Sequence, residues 1–586
     1  MVFPIPNSDE IRQFGSAAAV FIGNFHKTLQ HDQFGEVMPQ QYRDFMRTCL
    51  EIEAGSPLKF ERTPAYAIQA GDFAAEADPT LTSSVARFVS PLAAAAKESF
   101  GPDPKDLEML PAPSIASVGS AAEMVELYWM ALLRDLPFSQ FNAANLADAV
   151  NQVRTAFQSA LDQDEALGSL RLGLDLPSTS TGQLDIRAET LFRSGLKDEE
   201  FGPLVSQFFL REVPYGTQTI SVQQVPYRRE QDFLTTYKDW LLAQNTGKDK
   251  FGRDYGTCNH FGDQQNPARR NAGALYYPDD YDHRYISTMR DLARFVNRDA
   301  LHQAYFNAAL FLDAIGAPVD DGNPYKGGVR TSREGGFATL GGPDLLTFVS
   351  EVASRALKVV WRQKWLVHRR CRPEVYGGLL QMQRVGINGS QRNYNLPANT
   401  VLAAADTVKA TTGSYFLPMA FSAGSPNHPA YGAGHATVAG ACVTALKAWF
   451  DEGQLLGNLL DQFPESRRRD PLLGPLTLLQ PGAHNGGEDF EVPQPYSGAD
   501  ADRLTVGGEL NKLASNVAMG RSMGGVHWRS DNTRSLRLGE QITIEILKTR
   551  TAEYFERPIS LSFRSFDGDW VSVGDGRVRI NGNLVA

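Results

Sequence analysis

The segment SPNHPAYGAGHATV, residues 425–438, is a loop rich in proline and glycine that leads into an apolar segment. Residues 436–450 have the composition of a buried helix, whereas the glycines up to Gly434 oppose a helix before that point. His428 therefore lies on the loop, and His435 lies at or just before a helix start. Unpaired N–H groups and the positive end of the helix dipole make such a start an anion site. Taken alone, the pattern fits a glycine-rich loop with one core histidine equally well.

A basic cluster precedes this loop in the segment WRQKWLVHRRCRPEVYGG, residues 361–378. The apolar periodicity predicts an amphipathic helix over residues 343–372, which Pro373 should end. Lys364 and Arg372 are eight residues apart, so they would lie about 80° apart around the helix axis. A lysine point charge and an arginine fork that converge at a helix end suit a multiply charged oxyanion. A solvated basic helix face is the alternative interpretation.

A third cluster follows in ASNVAMGRSMGGVHWRSD, residues 514–531. Arg521 and His527 are six residues apart, so a continuous helix would point them in different directions. Gly524 and Gly525 lie between them and allow the chain to turn, so that both side chains could face one site. A glycine elbow with an incidental histidine is the alternative.

Together, the three clusters resemble the vanadium-dependent haloperoxidases, and more distantly the acid phosphatases that share their oxyanion site. The shared order is Lys-x7-Arg-Pro, then a helix-opening Gly-His, then Arg-x5-His-x3-Asp. The bromoperoxidase branch is indicated by His428 ahead of the Gly-His pair. Upstream matches point the same way: RDLARFVNRD, HQAYFNA, GNPY and GFATLGGP. The resemblance covers roughly residues 215–555.

The resemblance implies a role for each matching position. Five groups would hold vanadate: Lys364, Arg372, Arg521, the Gly434 N–H, and His527 as the axial nitrogen ligand. His435 would take a proton from hydrogen peroxide, and His428 would belong to the proton network and the halide surroundings. A carboxylate should fix the tautomer of His435, and Asp299 is our candidate.

The implied reaction is the oxidation of bromide or iodide by hydrogen peroxide to hypohalous acid, which then halogenates small organic substrates. An acid phosphatase is the alternative, because phosphate could occupy the same site, with His527 as nucleophile and His435 protonating the leaving group. About 85 residues separate His435 from Arg521, and this long spacing disfavours the phosphatase. A non-catalytic anion-binding assembly is a further alternative.

Several positions depart from the family pattern. Ala433 stands where the family usually has serine, so one hydroxyl donor to vanadate is missing, and Gly432 stands where proline is common. Trp361 matches the chloroperoxidases of the family, whereas His428 matches the bromoperoxidases. We expect oxidation of bromide and iodide, with weak or no activity on chloride.

The whole-chain composition limits the partners. A net charge of −10 and a pI near 5.6 make nucleic acid and anionic membranes poor partners. There is no uninterrupted apolar run of 18 residues and no visible signal peptide, so we expect a soluble protein, cytoplasmic by default. The four cysteines form no C-x-x-C pair, which argues against a zinc site and leaves the disulfide state open.

The expected fold is mainly α, with two four-helix bundles packed as one unit and small β hairpins. We divide the chain into an N-terminal helical half (1–245), a C-terminal bundle that carries the site (246–558) and a β tail (559–586). A helix is also predicted over residues 83–96. The resemblance implies a homo-oligomer, from dimer to dodecamer.

Overall fold

The computed structural model describes residues 22–53, 85–163, 170–259, 276–278, 282–327, 333–462, 476–482 and 492–585. Helices dominate these residues. The α-helices are α1 (Pro39–Glu53), α2 (Val118–Leu132), α3 (Ala147–Asp162), α4 (Tyr237–Thr246), α5 (Met289–Arg298), α6 (Gln303–Ala314), α7 (Gly342–Arg362), α8 (Pro373–Arg384), α9 (Ala398–Thr412), α10 (Gly434–Trp449), α11 (Leu456–Gln462), α12 (Val506–Met523) and α13 (Arg529–Glu553).

Helix α10 is the centre of the larger bundle. It packs against α13, α7 and α12, and every residue from Ala436 to Trp449 is buried. Gly440 of α10 and Gly539 of α13 face each other's backbones so closely that a Cβ on either would collide with the partner helix. The glycines therefore set the helix separation and fix the position of the first turn of α10.

A second helical group contains α2, α3 and α9, which pack against one another. Buried apolar side chains from Ile22 to Val578 form one continuous hydrophobic cluster that joins both groups. The mainly α-helical fold class is confirmed. The division of the chain at residues 245 and 558 stays a prediction.

The prediction of an uninterrupted helix over residues 343–372 is wrong. Helix α7 ends at Arg362, a single π-helical segment covers Gln363–His368, and Arg369 has a left-handed backbone with φ of +45°. Backbone hydrogen bonds then tie residues 369–371 to Gly23, Phe25 and Ala430, so tertiary pairing overrides the local helical pattern. Proline does not end a helix here. It occupies the first turn of α8, where its missing N–H is no loss.

The prediction of a helix over residues 83–96 is also wrong for residues 85–96, the part that the structure describes. Residues 85–90 are not helical, and only a 3₁₀ turn, Pro91–Ala95, follows. Backbone hydrogen bonds from Ala86 to Thr246 and from Val89 to Asn427 hold this segment against the rest of the protein. These contacts replace the internal bonds of a helix and bring the segment to the site described below.

The strands are short and antiparallel. β1 (Val213–Tyr215) pairs with β2 (Gln218–Ile220), and β3 (Leu479–Gln480) pairs with β4 (Gln494–Pro495). The C-terminal meander contains β5 (Leu561–Arg564), β6 (Trp570–Gly574), β7 (Arg577–Ile580) and β8 (Asn583–Leu584) in sequential order. The predicted C-terminal β element is confirmed. Within the described residues, no helix combines the length and the apolar character that a bilayer crossing requires.

Candidate active site

The loop before α10 is held from several sides. Lys364 donates from Nζ to the carbonyl oxygens of Pro429 (2.8 Å) and Ala430 (3.1 Å). The Ala433 N–H donates to Ser535 Oγ at 2.8 Å. Helix α10 begins at Gly434, as predicted, and its N-cap residue Ala433 offers no side-chain cap. The first N–H groups of α10 therefore lack a side-chain acceptor from the cap residue.

Arg372 joins the loop to the third cluster. It donates from Nε to the His428 carbonyl (3.0 Å) and from Nη2 to His428 Nδ1 (3.0 Å). Its Nη1 lies 2.7 Å from the Val526 carbonyl and 2.9 Å from His527 Nε2. One guanidinium fork thus fixes both histidine-bearing segments.

His527 is oriented by the helix that follows it. Its Nδ1 lies 3.0 Å from Asp531 Oδ2, which also accepts from the Trp528 N–H at 3.0 Å. The other oxygen of Asp531 accepts from Arg370 at 2.8 Å. A carboxylate in this position favours the tautomer with the proton on Nδ1, so Nε2 carries the lone pair that a ligand nitrogen needs.

Arg521 reaches the same place from the end of α12. Its Nη1 donates to the Val296 carbonyl (2.6 Å) and to the Tyr255 hydroxyl (2.7 Å). Its Nε is buried and has no hydrogen-bond partner among the described residues. A buried, unpartnered guanidinium N–H is costly unless a ligand accepts from it.

His435 lies in the first turn of α10, with its side chain 20% exposed. Its Nε2 is 3.0 Å from Oδ1 of Asp299, the residue that ends α5 and is itself 5% exposed. This is the contact that the sequence analysis suggested between the two residues. With Nε2–H donating to the carboxylate, Nδ1 is the nitrogen left to accept a proton.

The site carries buried positive charge that no carboxylate of the described residues contacts directly. Lys364, Arg372 and Arg521 are at most 3% exposed, and no carboxylate within the described ranges forms an ion pair with any of them. Burial and the neighbouring Arg372 hold the pKa of Lys364 well below its usual range. Burial and Arg521 lower the pKa of Arg372 to about 9. Such a group of buried cations is stabilised by an anion placed among them.

Burial and the same cations also lower the pKa values of the histidines. Burial, and then the nearby Arg372 and Lys364, keep the pKa of His527 well below its usual range. The pKa of His428 is lowered by burial and by the same two cations. Burial lowers the pKa of His435, and Asp299 partly opposes that shift. All three imidazoles are therefore held neutral, as a ligand nitrogen or a general base must be.

A cavity of about 550 Å³ opens onto these groups. Among the residues that line it are His428, Gly434, His435, Arg521 and His527. Lys364, Arg372 and Asp299 do not line the cavity, but each has a direct or electrostatic contact with a residue that does. The structure thus brings all the sequence-predicted site residues into one region.

Tyr255 is a cavity residue that the sequence analysis missed. It lies in a polar, glycine-rich loop and belongs to none of the three motifs, so spacing gave no signal for it. Cys258 lies in the same loop, whereas His260 lies outside the described residues. Within those residues, no group of three or more histidine, cysteine, aspartate or glutamate side chains is arranged to hold a metal ion. All four cysteines are buried, and none forms a disulfide with another described residue.

The fold and the site define a class: a helical-bundle protein in which three buried cations, a helix start and an oriented histidine meet at one cavity. Residues 345–556 match the VCPO second helical-bundle domain. The vanadium-dependent bromoperoxidase of Corallina pilulifera is 32% identical over 584 residues, covering 94% of this chain and 91% of the relative. That of Ascophyllum nodosum is 29% identical over 582 residues, covering 97% of this chain and 90% of the relative.

A solved structure agrees with these sequence matches. The homohexameric structure of the second vanadate-dependent bromoperoxidase from Ascophyllum nodosum superposes with a TM-score of 0.75 and 27% identity. The match covers 99% of this chain and 88% of that one. The present chain belongs to the vanadium-dependent bromoperoxidase family.

Proposed function

We propose that this chain is a vanadate-dependent bromoperoxidase that oxidises bromide, and iodide, with hydrogen peroxide. The observation that carries the proposal is the set of buried cations around His527 Nε2, which form no ion pair with a carboxylate of the described residues and lie beside a cavity that His435 lines. The donor set suits vanadate: cationic N–H groups for its oxygens and one neutral imidazole lone pair for the metal. When bound, vanadate would supply the Lewis acidity that activates hydrogen peroxide.

The binding residues have distinct tasks in this proposal. His527 is the nitrogen ligand, and Asp531 holds its lone pair toward the site. Arg372, Arg521 and Lys364 stabilise the negative charge of the oxygens, each charge-assisted hydrogen bond contributing ~1.5–3 kcal/mol. The Gly434 N–H adds a donor at the positive end of the α10 dipole.

In this proposal, the histidines transfer protons. His435 accepts a proton from hydrogen peroxide through Nδ1, and Asp299 keeps the imidazole in the required tautomer. His428 lies against Trp361, with 5.1 Å between the ring centroids, and donates or accepts within the proton network. Bromide approaches through the cavity that these rings line.

The assembly is also part of the proposal. The matched Ascophyllum structure is described as homohexameric, and its alignment covers nearly the whole of the present chain. We therefore expect a homo-oligomer in solution, which light scattering at several protein concentrations would reveal.

The function is tested by adding vanadate to metal-free protein and measuring bromination of a phenol-type dye with bromide and hydrogen peroxide. We expect bromination only after vanadate is added, with inhibition by phosphate, because phosphate competes for the same cationic donors. Hydrolysis of p-nitrophenyl phosphate without vanadate is measured in parallel. Phosphate release without bromination would assign the site to a phosphatase. If neither activity is observed, only the anion-binding alternative remains.

A further inference from the structure

Helix α10 begins without a hydroxyl at its N-cap, although hydroxyl and carboxylate side chains are the usual residues there. Ala433 occupies the position, and its own N–H already donates to Ser535 Oγ at 2.8 Å. Alanine has no hydroxyl, so the cap residue can neither cap the helix nor donate to an anion held at the helix start. A neutral O–H donor for that anion would have to come from another part of the chain.

The hydroxyl of Tyr255 lies among the groups that would hold the anion. Tyr255 lines the same cavity as Gly434 and His527. Its oxygen accepts from Arg521 Nη1 at 2.7 Å. The phenol is also near enough to Arg372 to act on it electrostatically. Two of the buried cations of the site are therefore close to this one phenol.

The hydrogen-bonding capacity of this hydroxyl is only partly used. A phenolic hydroxyl can accept hydrogen bonds and can also donate its one proton. The Tyr255 oxygen accepts from Arg521, whereas its proton has no acceptor in the part of the chain that the structure describes. Acceptance from a cation polarises the O–H bond and strengthens it as a donor. A polarised donor beside a group of buried cations points to a bound anion as its acceptor.

Arg521 cannot take that proton, because a guanidinium has no acceptor. The two hydrogens of its Nη1 are directed to the Val296 carbonyl at 2.6 Å and to the Tyr255 hydroxyl at 2.7 Å. Its Nε is buried and has no partner among the described residues, so this N–H remains for an anion. Tyr255 therefore orients Arg521 and, in addition, has its own proton to offer.

The ring of Tyr255 is held in place by the protein. Phe421 contacts it edge to face, with 5.2 Å between the ring centroids. The loop before Tyr255 is anchored as well: Asp249 accepts from Arg253 Nε at 2.9 Å and from Ser422 Oγ at 2.6 Å. Because Phe421 and Ser422 are adjacent in the chain, one segment holds both the ring and its loop. Such a fixed hydroxyl needs little reorganisation when an anion binds.

We propose that Tyr255 donates its hydroxyl hydrogen bond to the bound oxyanion and so supplies the O–H donor that position 433 lacks. The identity of the oxyanion as vanadate rests on the proposed function, whereas the hydrogen bond itself would form with any tetrahedral oxyanion in the site. No proton is transferred in this step, because the O–H bond stays intact. Tyr255 is thus an oxyanion-binding residue.

The proposal is tested by equilibrium dialysis of vanadate, and separately of phosphate, with the metal-free protein. We expect Tyr255→Phe to weaken binding of both anions by about tenfold or more, since a hydrogen bond to a charged group is worth at least that factor. Tyr215→Phe, at an exposed strand end, is the control and should bind both anions as wild type does. Unchanged affinity in Tyr255→Phe would overturn the proposal. Binding of phosphate but not of vanadate by wild type would count against the proposed function alone.

A second measurement separates donation to the anion from the support that Tyr255 gives to Arg521. A ring-fluorinated tyrosine at position 255 is a stronger donor and a weaker acceptor than tyrosine. Under mildly acidic conditions, where the fluorophenol stays protonated, we expect this protein to bind phosphate more tightly than wild type. A role confined to accepting from Arg521 predicts weaker binding instead, and that result would contradict the proposal.

A hydroxyl introduced at position 433 completes a double-mutant cycle. Ala433→Ser should recover most of the lost affinity in the Tyr255→Phe background and should gain less in wild type, because there Tyr255 already supplies an O–H donor. Strictly additive effects of the two changes would show that the hydroxyls act independently and would contradict the proposal. Thermal unfolding of each variant checks that its fold is intact.

Discussion

Replacement of His527 by alanine is expected to abolish vanadate-dependent bromination and to raise the vanadate dissociation constant by about 100-fold or more. The reason is the loss of the nitrogen lone pair that Asp531 orients into the site. A charge-assisted hydrogen bond alone is worth ~1.5–3 kcal/mol, or roughly 10- to 150-fold, and a ligand bond to the metal exceeds it. The cations would still attract an anion, but only as they attract phosphate.

Equilibrium dialysis and the dye assay measure this result together. Thermal unfolding of His527→Ala checks the fold, because Asp531 loses one partner but keeps Arg370 and the Trp528 N–H. His283→Ala, at an exposed position, is the control and should behave as wild type. Wild-type vanadate affinity in His527→Ala would remove this residue from the site.

The residue pattern predicted the start of α10 and the turn between Arg521 and His527, whereas the meeting of the three clusters at one site was predicted from the family resemblance. Gly434 begins α10, and the Gly524–Gly525 turn lets Arg521 and His527 reach the same cavity, both as the pattern indicated. These features follow from local rules: glycine permits the turn, and the apolar periodicity identifies the buried helix. Asp299 was named only as a candidate carboxylate for His435, and no local rule placed it at the C-cap that follows α5.

The route by which Lys364 and Arg372 converge was not predictable from local pattern. Basic residues at helical spacing continue through residue 372, yet the chain leaves the helix after His368 and runs extended. Hydrogen bonds to Gly23, Phe25 and Ala430 decide this change, and those partners are distant in sequence. The two cations reach one site because the helix breaks, and not because they share a helical face.

The residues that line the cavity were not predicted from the sequence, for a related reason. The apolar residues of segment 85–95 carry a helix-like pattern, and Tyr255 lies in an irregular loop. In both places, the position of the side chain depends on contacts with the loop before α10 or with Arg521. Periodicity identifies the elements that build a core, but it does not identify loop residues that close over a site.

Replacement of Asp299 by asparagine is expected to reduce bromination about 10- to 100-fold, the usual cost of losing a carboxylate that orients a functional histidine. It should also move the acidic limb of the pH profile. His435 must be neutral to accept a proton, so activity falls as the pH drops below its pKa. Burial lowers that pKa and Asp299 raises it in part. Without the carboxylate only the lowering influences remain, so the acidic limb should shift to lower pH.

The measurement is the pH dependence of kcat/KM for hydrogen peroxide, since this quantity reports groups of the enzyme before peroxide binds. Asp321→Asn, at a carboxylate that is 92% exposed and paired with Lys326, should leave both the plateau and the acidic limb unchanged. A merely structural role for Asp299 would lower the plateau, with unfolding at lower temperature, but would not displace the limb. A shift to higher pH would be inconsistent with His435 as the proton acceptor, because removal of a neighbouring negative charge can only favour the neutral imidazole.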